Sequence, residues 1–424
     1  MVIADVPPVT NWGCHYTRRW VRQISSAMLY YPTMVSRPTR SPSHPTRDLV
    51  VMFVARLALN LQYRVVYPFL PAISRGLGVP LETASLLLTI RSLVGAFSPV
   101  YGLAADRYGR RPMMLAGLVA LCAGAVLITL APGLGIALLA FALLGFSKAA
   151  FDPAMQAYVG DSVPYGRRGR VMSLLELSWS LSWFVGVPVA GLLIARSGWR
   201  SPFALIGGAG ALSLAALLWL CPQCGRSAFP AGSAALLRTF ERVPWRRCLP
   251  LLAMTWLITM ANENVFIVYG DWLEKQFNLA VAALGLASLV ISVAELTAEF
   301  ASAALVDSLG KWRSVFAGLI LTLGAYLLLP RLAGSLGTAL TGVALMFLTF
   351  EFSIVASIPL ISELAPEVRG TVMALNVSAA SLGRMAGSLS GPRLWAADGL
   401  PGVVLTSAAL ILVAALVIWS ARES

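Results

Sequence analysis

The chain has 424 residues, of which 58% are hydrophobic and only 12% are charged, and its mean hydropathy is +0.77. Soluble domains carry about 25% charged residues, so this composition excludes an ordinary soluble protein. A formal net charge of +13 would suggest nucleic acid as the partner of a soluble protein. We expect no nucleic-acid partner here, because 21 of the 32 Lys and Arg residues lie in the tails, loops and linker on one side of an apolar array.

Apolar runs predict twelve membrane-spanning helices, since about 20 helical residues cross a hydrocarbon core about 30 Å thick. The predicted fold class is therefore all-α integral membrane, with the lipid bilayer as its surroundings. The predicted spans are 49–72, 83–104, 112–131, 134–158, 171–194, 202–221, 249–271, 281–304, 314–331, 336–361, 372–396 and 402–420.

The polar segments divide the chain and orient it. Residues 1–47 are predicted to be a disordered basic tail, 48–221 a first six-helix bundle, 222–248 a cytoplasmic linker rich in Pro, Gly, Ser and Arg, and 249–424 a second six-helix bundle. The positive-inside rule places both termini in the cytoplasm, because the basic clusters then face inward. We expect a location in the plasma (inner) membrane.

Two cytoplasmic loops repeat at a constant offset. The loop after the second span reads GLAADRYGRR, and its counterpart in the other half reads AALVDSLGKWR. The corresponding residues, each 201 apart, are Asp106 with Asp307, Gly109 with Gly310, and Arg110 with Lys311. The next loop repeats the same offset, which indicates two halves of parallel topology. Many secondary transporters are built from such repeats around a site near the bilayer midplane.

The segment from Gly102 to Arg111 resembles the signature of the loop between the second and third spans in the major facilitator superfamily. The twelve spans, the weaker copy at Asp307, the loop DSVPYGRRGRVM and the segment GWRSPF at 198–203 extend the resemblance over residues 48–421. It implies two six-helix pseudo-repeat bundles that work by alternating access. It also implies that the loop is a conformational latch.

An Asp followed by Gly and a basic pair suits a tight turn, in which the carboxylate caps a helix and the cations reach the other half. The cations could instead serve only to set topology, which would leave the Asp unexplained. The latch residues with their counterparts are Gly102, Asp106, Arg107, Gly109, Arg110, Arg111, Asp307, Gly310 and Lys311.

The fifth span carries WFVGVPVAGLL, which resembles in part the Gly-Pro-rich signature of proton-coupled antiporters. Gly186, Pro188 and Gly191 match it, whereas Val187 and Leu192 stand where the signature has Gly. A helix-packing face of small residues with a proline kink is an equal alternative. The segment favours export over import.

The fourth span departs from the antiporter pattern, which has an intramembrane Arg shortly before a Gly. No Arg precedes Gly145 in this span. Lys148 follows one turn later, with Asp152 four residues further on. Lys148 is therefore the local replacement candidate.

Ionisable residues inside the spans are functional candidates, because each charge at a helix centre costs about 2.5–3.5 kcal/mol on insertion scales. The first half is mainly cationic and the second mainly acidic. The first half has Arg56, Arg64, Arg91, Lys148, Asp152 and Glu176, and the second has Glu263, Glu295, Glu299, Glu351 and Arg384.

An ion gradient, or the substrate's own gradient, is the expected driving force. The only two histidines, His15 and His44, lie outside the spans, and the chain has no G-x-x-x-x-G-K-[ST] sequence for ATP. We expect no cofactor and no metal site. Carboxylates are then the natural proton sites, and the candidates are Glu263, Glu351 and Glu295. Each could instead belong to a static ion pair that holds the halves together.

The candidates for the substrate cavity are Arg64, Arg91, Lys148, Asp152, Trp183, Trp256 and Arg384. The aromatic side chains could stack on a substrate or pack in a core. The arginines could hold an anionic substrate or be neutralised by the acids of the spans.

The sequence thus predicts a monomeric secondary transporter and no enzyme, since it has no nucleophile elbow and no His within the spans. Proton-coupled efflux of a small-molecule substrate is the leading interpretation. The alternatives are a sugar or organic-anion importer or uniporter, and a membrane scaffold or sensor that transports nothing.

Overall fold

The computed structural model describes residues 45–220 and 241–423. Most of the predicted basic tail at 1–47 and of the predicted linker at 222–248 lies outside these residues. The first helix begins at Pro45, and the seventh span begins at Trp245, four residues before its predicted start at residue 249. The first turn of this helix carries Arg246 and Arg247, so the hydropathy pattern alone places it in the linker.

Six spans form the first half, and the first two are bent. The first span consists of Pro45–Arg64 and Val66–Leu77, which meet at 60°. The second consists of Leu81–Ala84, Leu86–Gly95 and Ser98–Tyr108, with a bend of 48° before its last helix. The other helices are Arg110–Leu130 (third), Leu134–Ser162 (fourth), Tyr165–Leu181, Ser182–Gly186 and Val187–Ser197 (fifth), and Ser201–Leu220 (sixth).

The second half repeats this order. Its helices are Trp245–Phe277 (seventh span), Val281–Ala287 and Leu289–Leu309 (eighth), Lys311–Leu332 (ninth), Leu336–Glu363 (tenth), a short 3-10 turn at Pro366–Val368, and Arg369–Glu423 (eleventh and twelfth).

The number of spans agrees with the sequence prediction. Within the described ranges, nine helices are long and apolar enough to cross a membrane, or up to eleven when each bent pair counts as one span. The last of these has 56 residues, about 84 Å of helix, which is too long for one crossing. It divides at Gly399, whose φ of 61° and ψ of −150° interrupt the helix. This division gives the twelfth span.

The backbone itself shows the internal repeat. Every described residue with a positive φ has a counterpart 200 or 201 positions away in the other half. The pairs are Gly78 with Asn278, Gly109 with Gly310, and Gly198 with Gly399. Residues with side chains rarely adopt this conformation, so the turns between the spans conserve the same geometry in both halves.

The two halves approach most closely at the end of the spans that holds Arg75, which we call the Arg75 end. Arg75 Nη1 lies 2.8 Å from Glu274 Oε1, which joins the first span to the seventh. A Cβ atom built on Gly270 would lie only 2.3 Å from the carbonyl oxygen of Pro68. Glycine therefore permits direct backbone packing that seals this end.

The opposite end, which holds Asp106, is called the Asp106 end. Glu176 lies about 16 Å along its helix from this end, yet its side chain is 51% exposed. Glu299, in the eighth span, is also exposed. A carboxylate at this depth faces water rather than lipid, because lipid exposure of the charge would be too costly. The spans therefore surround an aqueous vestibule that opens at the Asp106 end.

Candidate functional site

Glu263 lies at the boundary between the halves and is only 2% exposed. Its Oε2 accepts a hydrogen bond from the hydroxyl of Tyr67, in the first span, at 3.1 Å. Arg91 Nη2, in the second span, donates to the same hydroxyl at 3.1 Å, and Arg91 Nη1 donates to the carbonyl of Tyr63 at 2.9 Å. A single hydroxyl thus connects a cation of the first half to an acid of the second.

Glycines let the helices that carry these groups approach each other. A Cβ on Gly387, in the eleventh span, would lie 2.6 Å from the Cβ of Glu263. A Cβ on Gly145, in the fourth span, would lie 2.7 Å from the carbonyl oxygen of Arg91. The fourth span, which lacks the expected Arg, therefore packs directly against the second span, which carries Arg91.

A second contact between the halves joins Arg64 to Glu295. The two guanidinium nitrogens Nη1 and Nη2 donate to Oε1 and Oε2 at 2.9 and 2.8 Å, a bidentate geometry that fixes both side chains. The guanidinium also lies 3.6 Å from the ring centroid of Trp179 and 4.8 Å from that of Trp183. Of the alternatives for Arg64, neutralisation by an acid is the one observed in this conformation.

A charged network within the first half lines the vestibule. Lys148 Nζ donates to Asp152 Oδ2 at 2.7 Å and to Asn60 Oδ1 at 2.6 Å. Arg56 Nη2 lies 2.8 Å from Glu176 Oε1, and Arg56 Nε lies 3.6 Å from Asp152 Oδ1. The two cations and two acids of this network neutralise one another, so the surface that the first half presents to the vestibule is polar but carries no net charge here.

Aromatic side chains close the vestibule on the Arg75 side. The ring of Phe266 stacks on Tyr67 with a centroid distance of 3.8 Å and an interplanar angle of 8°. Phe347 meets it edge-on at 4.9 Å, and Trp183 and Tyr269 lie at 5.8 and 6.5 Å. Both halves contribute to this cluster. Trp183 is fully buried within it and therefore packs as core in this conformation.

The remaining predicted residues lie around this centre. Trp256 is exposed, and within the described chain its ring makes no aromatic contact. Arg384 and Glu351 are half-buried. Arg384, in the eleventh span, interacts electrostatically with Glu263 and Glu351. Neither Arg384 nor Glu351 forms a direct ion pair with another described residue.

The fifth span is irregular where its sequence resembles the antiporter signature. A π-helical turn covers Ser182–Gly186 and ends two residues before Pro188, which has no backbone N–H to donate. A Cβ on Gly191 would lie 3.1 Å from the ring of Phe69, and one on Gly285, in the eighth span, 3.2 Å from Pro188 Cα. The small residues therefore let the fifth and eighth spans pack closely at the Arg75 end, and a role of this segment in antiport stays a prediction.

The latch residues form two equivalent contacts, each within one half. Arg110 pairs with Asp106 and lies 3.4 Å from Asp161 at the end of the fourth span. Lys311, the counterpart of Arg110, pairs with Glu363 at the end of the tenth span. In this conformation the ion pairs thus brace each half internally, and a latch between the halves stays a prediction.

The other members of the latch set lie on the surface of the Asp106 end. Arg111 Nη2 donates to the carbonyl of Leu218 at 2.9 Å, which ties the third span to the sixth. Arg107 and Asp307 are exposed. A side chain on Gly102 would meet open space. These positions leave a surface available to the other half in another conformation.

Sequence reasoning missed three residues of this arrangement. Asp161 and Glu363 could have been found from their identical spacing to a proline, since each stands three residues before Pro164 or Pro366. Phe266 had no such signal, because an apolar residue within an apolar span can face lipid, core or cavity.

Comparison with known proteins places the chain in a family. The sequence model of the Major Facilitator Superfamily matches residues 52–260 and 251–424. The MFS-type transporter YwfA of Bacillus subtilis (strain 168) is 26% identical, over 82% of this chain and 85% of YwfA. Multidrug resistance protein MdtG of Escherichia coli O1:K1 / APEC is 25% identical, over 90% of this chain and 95% of MdtG.

The fold agrees with this result. A crystal structure of a D-xylose-proton symporter superposes with a TM-score of 0.74 at 16% identity, over 89% of this chain and 98% of the symporter. The family model covers both halves, and the loop motif at Asp106 had indicated the same family. The chain is a membrane transporter, not an enzyme, and it belongs to the Major Facilitator Superfamily.

Proposed function

We propose that this transporter is a monomeric, proton-coupled exporter of amphipathic small molecules. The observation that carries the proposal is the set of acids at the boundary between the halves. Glu263 is buried, its Oε1 has no hydrogen-bond partner among the described residues, and its Oε2 is bound by a residue of the other half. A proton on such an acid would remove a buried charge and weaken a contact between the halves at the same time.

The remaining acids support the same mechanism. Glu351 and Glu299 lie near the vestibule without a direct ion pair to any described residue. Lys148 and Asp152 neutralise each other. The second half therefore contributes acids that are free to exchange a proton. In the first half, the acids near the vestibule are neutralised by cations of the same half.

The proposed orientation places the Asp106 end in the cytoplasm, in the plasma (inner) membrane. The basic loops that include Arg107 and Arg111 lie at this end, as the positive-inside rule requires of a cytoplasmic face. The vestibule then opens inward, the state in which an exporter would collect its substrate. Relatives named for multidrug resistance, such as MdtG, favour export.

Inverted membrane vesicles with an imposed proton gradient test the proposal. Ethidium, D-xylose and benzoate would be added separately, and a pH-sensitive dye would follow the gradient. We expect ethidium to dissipate the gradient with the native chain and with Glu367→Gln, which changes an exposed acid outside the spans. Glu263→Gln should not respond, because its side chain cannot take up a proton.

Other outcomes would contradict the proposal. A response to D-xylose or benzoate alone would favour an importer of sugars or organic anions. No response to any probe, with the protein shown to be inserted, would favour a uniporter or a scaffold. An unchanged ethidium response in Glu263→Gln would move proton binding to another acid, with Glu351 next.

A further inference from the structure

Tyr67 holds a position that no other described side chain shares. Its hydroxyl is hydrogen-bonded both to a cation of the first half, Arg91, and to an acid of the second half, Glu263. The Tyr67 side chain is 1% exposed, so water does not compete for these bonds. Among the described residues, the only direct ion pair of comparable burial between the halves is that of Arg64 with Glu295.

The chemistry of the three groups fixes the direction of both hydrogen bonds. A guanidinium has donors and no acceptor, so Arg91 must donate to the Tyr67 oxygen. The single hydroxyl proton of Tyr67 is then available for Glu263. The phenol ring cannot turn away easily, because it is stacked on Phe266.

We propose that Tyr67 is a positioning residue through which Arg91 of the first half holds the Glu263 carboxylate of the second half, so that proton binding at Glu263 loosens the contact between the halves. The inference rests on the proposed proton-coupled transport and names the group that transmits the proton's effect. A hydrogen bond to an ionised carboxylate is about twice as strong as one to a neutral acceptor. A proton on Glu263 therefore weakens its hold on Tyr67.

The other charged group that faces Glu263 is Arg384, in the eleventh span. Arg384 belongs to the same half as Glu263 and moves with it. Its attraction is therefore similar whether the halves are together or apart. Among the described groups that face Glu263, only Tyr67 and Arg91 lie in the opposite half, so only their attraction is lost when the Arg75 end opens.

Spin-label distances can test this inference without a substrate. The labels would be attached at Pro80→Cys and Ala280→Cys, two exposed positions at the Arg75 end, one in each half, with the five native cysteines replaced by serine. Distances would be measured between pH 5 and 9 in lipid nanodiscs. We expect the native background to be closed at high pH and to open as the pH falls.

Tyr67→Phe keeps the stacked ring and removes only the hydroxyl. The charged form of Glu263 then loses a hydrogen bond that exists in the closed arrangement, so opening should occur at a pH about one unit higher. Tyr158→Phe is the matched control, because the Tyr158 hydroxyl donates to Asp48 at 2.9 Å within the first half. This control should leave the transition unchanged.

Arg91→Gln supplies a second test. Alone it should also raise the transition pH, but it should add little in the Tyr67→Phe background if Arg91 acts through the hydroxyl. Full additivity would overturn the inference, because Arg91 would then act through space. An unchanged transition in Tyr67→Phe, or a retained transition in Glu263→Gln, would also overturn it.

The vesicle assay separates this failure from failure of the proposed function. Ethidium-driven loss of the proton gradient in the native chain, together with an unchanged transition in Tyr67→Phe, would refute the role of Tyr67 alone. Absence of any proton-coupled response in the native chain would refute the proposed function itself.

Discussion

Neutralising Glu295 should open the Arg75 end of this transporter, whereas neutralising Glu274 should leave it closed. Both acids belong to the second half, and each forms a 2.8 Å ion pair with a cation of the first span. The pairs differ in burial. The side chains of Arg64 and Glu295 are 5% and 8% exposed, against 56% and 26% for Arg75 and Glu274.

This difference in burial sets the expected magnitudes. Removing one partner of a buried pair costs about 3 kcal/mol, because the other charge remains desolvated. An exposed pair contributes about 0–1 kcal/mol. If both contacts exist only while the Arg75 end is closed, Glu295→Gln should shift the equilibrium toward opening roughly a hundredfold, and Glu274→Gln less than about fivefold. Arg64→Lys keeps the charge without the bidentate geometry and should fall between them.

The same spin-label pair measures these shifts at one fixed pH. The Glu274→Gln effect should also vanish at high salt, because exposed charges are screened, whereas the Glu295→Gln effect should persist. Equal shifts in the two variants, or a closed Arg75 end in Glu295→Gln, would show that the Arg64 pair does not distinguish the two conformations. The reasoning from burial would then be wrong.

Three further predictions concern the backbone and the latch. Gly270→Ala should lengthen the spin-label distance, because its Cβ would lie 2.3 Å from a backbone oxygen of the first span, whereas Gly135→Ala, with open space around it, should not. Asp106→Asn should shift the balance between the two conformations without affecting membrane insertion, and alkylation of single cysteines placed at the Arg75 end and at the Asp106 end would measure this shift. Unchanged alkylation would show that Asp106 is a simple turn residue. Gly109→Ala should lower the apparent Tm, because φ is 102° at this position and an alanine held there would be strained by about 1–3 kcal/mol. Gly337→Ala should leave the Tm unchanged, because this position has open space around it and no positive φ.

Hydropathy and repeat spacing were sufficient to predict the fold. Each span carries its own signal, because the membrane requires a continuous apolar stretch of a known length. The 201-residue offset of Asp106 and Asp307 reflected a real repeat, since the turns at Gly109 and Gly310 share their backbone conformation. The actual helices extend beyond the apolar windows, because the hydrogen-bonded backbone continues into polar residues.

The partners of the buried charges could not be predicted in the same way. Arg64 meets Glu295 although 231 residues separate them in the chain, and this meeting depends on helix rotation and on the 60° bend of the first span. The four-residue spacing of Glu295 and Glu299 places both side chains on one face of their helix. In the structure Arg64 binds Glu295, and Glu299 faces the vestibule. Spacing along one helix shows a shared face, but it does not identify what that face contacts.

The unequal charge of the two halves has a consequence for assembly. A carrier built from a duplicated bundle risks the mispairing of two identical bundles from different chains. Here cations outnumber acids in the spans of one half, and the reverse holds in the other. Two copies of the first half would place Val94, the counterpart of Glu295 at the 201-residue offset, opposite Arg64. The buried cation would then have no acid as its partner, inside a medium that screens charge poorly. The divergence of the duplicated halves therefore makes each bundle a specific partner for the other and a poor partner for itself.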